Sequence, residues 1–427
     1  MKGKIWTADQ VQGVVNVNVP VRSVIVKLSD GGLLVYNPVA PTKEVRDYIS
    51  DLEGRYGKVK HIVLGSLGLE HKALAGPFSQ YYKDSQVWLQ PGQWSFPVNL
   101  PSWFFGFPFG SKMTVLPTDE EQERGGFENP FAADFDFRIL GPLYFKSVGG
   151  FGEVALFHRS TGTLIVTDTV IRVSDEAPAI IAEDPRALLF HARDSMLDEV
   201  EDTPETRARG WRRMALFGLC FYPSKINVEG VLDTLRNISQ VAPDMAVLGE
   251  GAIPGNGALY PWSWRDSEVP NFKALQGKLH GRRQGALLVA PILQKLILNR
   301  EPRRVLAWAD RVAQWPISRI IPSHFENDIA ADGKAFRAAF NFLETGRPEM
   351  QPREEGPGEG ILAGPIIPGF GFDFSSILGG ARRGGGSSPQ SRGRENLAGA
   401  TKEDLGLLDA VSDVFTSLSI VAPAEVP

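Results

Sequence analysis

The 427-residue chain contains a single cysteine, Cys220, so no disulfide can form within it and no cysteine-built metal site is available. Cys220 stands in the helix-like apolar run RRMALFGLCFYP, where a thiol ordinarily behaves as a small buried hydrophobe. Long apolar runs are missing as well. The greasiest stretch, GALLVAPILQKLILNREP, is interrupted by Pro291 and Lys295 and falls short of the roughly 18 to 20 residues that cross a bilayer. Neither sign of charge is in large excess, and a formal net charge of −5 argues against nonspecific nucleic-acid binding. The opening MKGKIWTADQVQG has the look of neither a secretory signal nor a Ser/Arg-rich transit segment and leads almost directly into the first strand. Several enzyme motifs are absent too. LGSLG lacks the leading glycine of a nucleophile elbow, because that position is Leu64. GEGAIPG has neither the spacing nor the strand-to-helix setting of a dinucleotide loop, and Pro254 opposes a helix there. RRGGG and SRGRE are two short basic copies without interleaved aromatics, which reads as linker rather than RNA-binding segment.

With 43% apolar residues over this length, the chain can bury a large core, and its main part reads as one domain with insertions. Residues 14 to 65 alternate strand and helix signals. VRSVIVKL and GLLVYNP bracket the turn Asp30-Gly31-Gly32, and PTKEVRDYISDLEGRYG has helical spacing with Gly54 and Gly57 near its end. QVWLQPG follows as a short strand. PGQWSFPVNLPSWFFGFPFG, rich in aromatics, Pro and Gly, reads as an ordered loop that covers the core or forms a docking surface. Residues 175 to 300 are mostly helical in pattern. His191 and His280 there are assigned no role, and Arg212, Arg213, Arg282 and Arg283 read as solvated helix faces. From residue 346 a Gly/Pro-rich stretch runs to 400. A helical segment at 401–421 then carries Leu405, Leu408, Val411 and Phe415 on one face, with Thr401 and Asp404 as its start signal; it can dock on another protein or on this chain.

Four polar residues stand at the ends of strand-like apolar runs: Glu70 and His71 after HIVLGSLGL, Asp168 in GTLIVTDTV, and His324 in ISRIIPSH. Imidazole nitrogen and carboxylate oxygen are ligands for divalent zinc, manganese or iron. Chain-distant groups held at adjacent strand ends can close around one ion. The bland alternative is a set of hydrogen-bonded histidines and a loop-capping TD turn.

The order and spacing of these segments over about residues 5 to 345 resemble the metallo-β-lactamase fold, in particular its degenerate DUF4336-type branch of cyanobacteria, algae and plants. VNVNVPVRSVIVKLSDGGLLVYNPVAPTKEVRDYISDLEGRYGKVKHIVLGS resembles the opening module, FGEVALFHRSTGTLIVTDTV the two strands that deliver Asp168, and SRIIPSHFEN the strand that delivers His324. The resemblance implies an αββα sandwich with a helical insertion and a flexible C-terminal tail. Active members carry His-x-His-x-Asp-His, and the matching positions here are Ser66, Gly68, Glu70 and His71; a further family histidine falls on Gly149. The resemblance therefore implies loss of one metal pocket and survival of the other through Glu70, His71, Asp168 and His324. Glu70, one methylene longer than the usual aspartate, is a ligand or a general base.

Two functions are compatible with this reading. One is a divergent hydrolase holding at most one divalent ion and attacking an ester, thioester or phosphoester of a small-molecule substrate. The other is an inactive binding or scaffold protein that keeps the fold, holds no metal and uses its loop and tail for a protein partner. The resemblance also implies a chloroplast setting.

Overall fold

The computed structural model describes residues 3–14, 16–93, 100–108, 112–145, 149–220, 223–230, 233, 260–277, 285–344, 401, 403–417, 421, 422 and 424. The Gly/Pro-rich stretch 346–400, the GEGAIPG run, His280, Arg282, Arg283 and part of the aromatic stretch lie outside the described residues.

Strands β1 (Ile5–Val14), β2 (Val17–Lys27), β3 (Leu33–Tyr36), β4 (Val59–Leu64), β5 (Gln86–Leu89) and β6 (Met113–Val115) form one sheet in that order. The β1/β2 and β2/β3 pairs are antiparallel, and β3 through β6 run parallel. Parallel neighbours need crossovers. Helix α1 (Lys43–Tyr56) supplies the first and α2 (Leu69–Tyr81) the second. Thr42 caps α1 by accepting from the Val45 amide, Val45, Ile49 and Leu52 put one apolar stripe on the sheet, and Gly57 ends the helix at φ 100°. The second sheet contains β7 (Phe135–Phe145), β8 (Gly149–His158), β9 (Thr163–Val166), β12 (Arg319–Pro322) and β13 (Ile329–Ala330) in the order 13-12-9-8-7. In it only β9 and β12 are parallel. Strands β10 (Ile226–Val228) and β11 (Trp262–Trp264) form a separate ribbon.

The period-2 alternation of side chains divides each buried strand between two cores. Val24, Val26, Leu34, Tyr36 and Val63 from the first sheet meet Phe135, Ile139, Val154, Leu156, Ile165 and Ile321 from the second. The opposite side chains, Ile25, Val35, Ile62 and Leu64, pack on α1 and α2. On the far face of the second sheet, Ala155, Phe157, Leu164 and Ile320 pack on helices. The layers are therefore helix, sheet, sheet, helix. Among the described residues the insertion contains α4 (Ala179–Ala182), α5 (Arg186–Ala192), α6 (Pro204–Cys220), α7 (Val269–Leu275) and α8 (Pro291–Leu296), with α3 (Asp119–Arg124) preceding β7. Then come α9 (Pro302–Ala313), α10 (Gly333–Ala338) and α11 (Gly406–Ser417). Among the described residues no helix is long and apolar enough to cross a membrane.

Two expectations change. Glu70 and His71 do not end a strand: β4 stops at Leu64, and both residues lie in the first turn of α2. The segment that leads into the first sheet-forming run is itself a strand, β1, an edge strand whose half-exposed polar residues hide its pairing with β2. Cys220 is buried, as its apolar run predicts. The tail helix packs on the chain's own body: Leu408 and Val411 are buried against Leu296 of α8.

His191 is a structural histidine. It is buried in α5, its Nε2 donates to the Asn16 carbonyl at 3.1 Å, and its ring stacks with Trp262. Burial lowers its pKa to about 3, with the Arg213 charge adding to the shift against the Asn16 hydrogen bond. The unfolded chain takes up this proton near the ordinary 6.5 while the native state does not. Its stabilising contribution is therefore complete above about pH 6.5 and is lost as pH falls towards 3. In urea unfolding at a series of pH values, His191→Gln should flatten the acid limb between pH 6 and 4 by up to ~1.4 kcal/mol per pH unit. An unchanged slope would exclude this role.

Candidate metal centre

The site is built where β4 of one sheet and β9 and β12 of the other end together. After β4, Gly65 passes so close to Tyr36 that a Cβ would sit 2.2 Å from the phenolic oxygen, so only glycine fits. The chain then turns through Ser66, Leu67 and Gly68 into α2, bringing the carboxylate of Glu70 to the helix N-terminus, where negative charge is favoured. His71, on the next residue, is fully buried. Asp168 follows β9 by two residues. Its backbone amide and that of Thr169 both donate to Glu153 Oε2, at 2.6 and 2.9 Å, and the Thr169 hydroxyl donates to Oε1. His324 follows β12 by two residues, its Nδ1 donating to the Pro20 carbonyl at 2.9 Å.

These four side chains converge. Glu70, His71, Asp168 and His324 each offer one ligand atom, and the four atoms lie within 4.8 Å of one another. His324 Nε2 is 3.0 Å from Asp168 Oδ1 and 3.2 Å from His71 Nε2. Ligand atoms around a tetrahedral ion with bonds of about 2.1 Å stand about 3.4 Å apart, so the closest pairs already have that spacing. Among the described residues this is the one group of three or more His, Cys, Asp and Glu side chains close enough to share an ion. Ser66, at a position where the resemblance expects histidine, donates to Asp168 Oδ2 at 3.3 Å and accepts from the Gly68 amide. Gly68 is the helix cap and Gly149 opens β8.

A family model described as "Domain of unknown function (DUF4336)" matches residues 2–342. The chain belongs to this family.

Solved structures similar to this DUF4336 chain include a metallo-beta-lactamase from Pontibacter korlensis, 12% identical, covering 44% of this chain and 80% of that one, with a TM-score of 0.28. DIM-1 metallo-beta-lactamase exposed to ceftazidime is 8% identical over 80% of this chain and 94% of that one, with a TM-score of 0.34. The metal-soaked Flv1 flavodiiron core from Synechocystis is 9% identical over 80% of this chain and 59% of that one, with a TM-score of 0.34. Likenesses of this size say nothing about chemistry. A comparison with curated proteins gave no match.

Three residues outside the predicted set hold the DUF4336 cluster in place. Asn37, buried and at φ 44°, accepts from the Gly65 amide at 2.8 Å and donates to Thr167 Oγ1 at 2.9 Å and Ser323 Oγ at 3.2 Å. It thus ties together the segments that carry His71, Asp168 and His324. Arg22, 2% exposed, pairs with Asp9 and donates to the carbonyls of Pro322 and Phe325, clasping the turn around His324. Glu153 is the third. The signals in the sequence are a charge inside an apolar run for Arg22 and Glu153, and an asparagine before a proline for Asn37.

The electrostatics follow from burial. Burial holds the His71 pKa down at about 3, and the His324 charge pushes the same way. Burial alone would lower His324 and raise Asp168. Their mutual hydrogen bond and opposite charges win, so His324 moves up and Asp168 down. Burial, then the Asp168 charge, raises Glu70. Glu153 is lifted to about 7 by burial and by Asp168. With its Nδ1 hydrogen committed to Pro20, a neutral His324 presents a bare lone pair to another imidazole and a carboxylate. That convergence is satisfied by a proton shared among His324, His71 and Asp168 or by a metal ion between them. The donor set fits zinc, manganese or iron. His324 has the carbonyl partner that orients metal-binding imidazoles, whereas His71 Nδ1 is buried without one.

Proposed function

We propose that this chain holds one divalent metal ion, zinc, manganese or iron, through Glu70, His71, Asp168 and His324, and acts as a hydrolase on an ester, thioester or phosphoester. The observation that carries the reading is the convergence of four lone-pair-bearing atoms within 4.8 Å, with His324 already oriented by Pro20. A divalent ion there supplies Lewis acidity, which polarises a substrate oxygen and acidifies water. Glu70 is the most exposed of the four and lines the pocket above them, so if it does not bind the ion its carboxylate is placed to accept a proton from the attacking water. Asp168 is held by Ser66 and, through its backbone, by Glu153, so it keeps its position while charge changes around it.

Metal content by mass spectrometry tests the reading, on full chain purified without a metal-binding tag and beside His71→Ala and His324→Ala. The parent should carry close to one equivalent, and each variant should bind at least tenfold more weakly. A parent that takes up no zinc, manganese or iron, even when refolded with each, would end the proposal.

A further inference from the structure

The pocket over the cluster has a volume of about 300 Å³, and its lining is divided sharply by polarity. Its polar side chains are Ser66, Glu70, Asp168 and His324, which belong to the cluster and its immediate hydroxyl neighbour. The rest of the wall is aliphatic or aromatic. Val19 comes from β2, Phe151 from β8, Leu219 from α6, Leu293 from α8, with Ile171 after β9 and Ile297 after α8. Among the described lining residues there is no lysine and no arginine. Away from the cluster, a phosphate or carboxylate bound against these walls would be desolvated without a cationic partner. An apolar chain meets no such cost. At ~30 Å³ for a water-sized group, the volume accommodates on the order of ten heavy atoms.

We propose that this pocket takes the apolar acyl chain, about eight to ten carbons long, of a neutral carboxylic ester or thioester. The assignment of the reacting bond rests on the hydrolase reading above; the fit of the chain to the pocket does not. The wall is built by seven separate segments around one space, so a ligand is selected by length and by the absence of charge. Each buried methylene adds about fourfold in affinity.

The test is calorimetric titration of metal-stripped full chain with 1-decanol, 1-butanol, decanoate and decyl phosphate, each below its aggregation threshold. Decanol should bind at least a hundredfold more tightly than butanol and at least tenfold more tightly than decyl phosphate or decanoate. Leu293→Trp, or Ala290→Phe if the first fails to give the parent's circular dichroism, should weaken decanol at least tenfold. Equal affinity for decanol and butanol, or tighter binding of decyl phosphate, overturns the proposal whatever the variants do. Chain-length-dependent binding in a protein that takes up no metal would remove the hydrolase reading and leave the pocket assignment standing. One equivalent of metal without chain-length dependence would do the reverse.

Discussion

Asn37→Ala should lower stability by ~3–5 kcal/mol in urea unfolding and weaken metal binding by 10- to 100-fold in the variant that still folds. The side chain is fully buried and makes hydrogen bonds to three segments, so its removal leaves the Gly65 amide and the Ser323 hydroxyl without their partner and takes one of several from the Thr167 hydroxyl, which keeps Tyr36. Each orphaned buried group costs about 1–3 kcal/mol, and a left-handed backbone at φ 44° suits asparagine better than alanine. The effect on metal has a separate cause. Gly65, Thr167 and Ser323 immediately precede the turns that present His71, Asp168 and His324, so slack at Asn37 spreads the ligand atoms apart. Asn37→Asp is the control. It keeps an acceptor for the Gly65 amide, and the Thr167 and Ser323 hydroxyls can rotate to donate, so metal affinity should return part of the way. Unaltered metal affinity in Asn37→Ala would show that the three segments are held independently.

Deleting residues 401–427 should cost ~3–5 kcal/mol in the same assay, and Leu408→Ala alone ~2–3 kcal/mol. Leu408 and Val411 are buried against Leu296, with Ile292 and Ile297 packed beside them. The polar contacts reinforce this seam. Arg300, 6% exposed, donates to Thr416 Oγ1, Ser412 Oγ and the Ala422 carbonyl, and Lys295 pairs with Asp409 at 2.8 Å. Asp404 accepts from the Ser224 amide and from Asn271. Ile292 and Ile297 also line the pocket, so the deletion should loosen one of its walls as well as the fold. A truncated chain with the parent's unfolding midpoint would mean that α11 adds nothing to the body.

Much of this architecture is legible in the sequence because buried strands read as apolar runs and end at marked residues. Asp168 and His324 follow the strands TLIV and RIIP by two residues, at the strand ends where the apolar runs put them. His71 is brought to the same cluster from a helix instead. Helix α2 continues through Gly76 and Pro77. Gly76 is needed there because a Cβ would lie 1.6 Å from the Phe105 carbonyl oxygen. The helical face of the tail was equally visible in Leu405, Leu408, Val411 and Phe415, but its partner α8 was not, since nothing local names a surface more than a hundred residues away. Asn37, Arg22 and Glu153 were missed for the same reason: their roles lie in bonds to distant backbone and hydroxyl groups, and only a fold brings those together.

The parallel pairing of β9 with β12, Thr163 against Arg319, sets the order in which this protein can be completed. A chain emerging from synthesis has the whole first sheet and most of the second before β12 exists. Until then the fully buried run Thr163–Val166 presents an open strand edge. Closing it requires a long-range contact across the entire insertion, which makes this a slow, late step. A chain that stalls or is cut before residue 319 is thus left with an adhesive edge as well as an incomplete cluster, and aggregation is its expected fate.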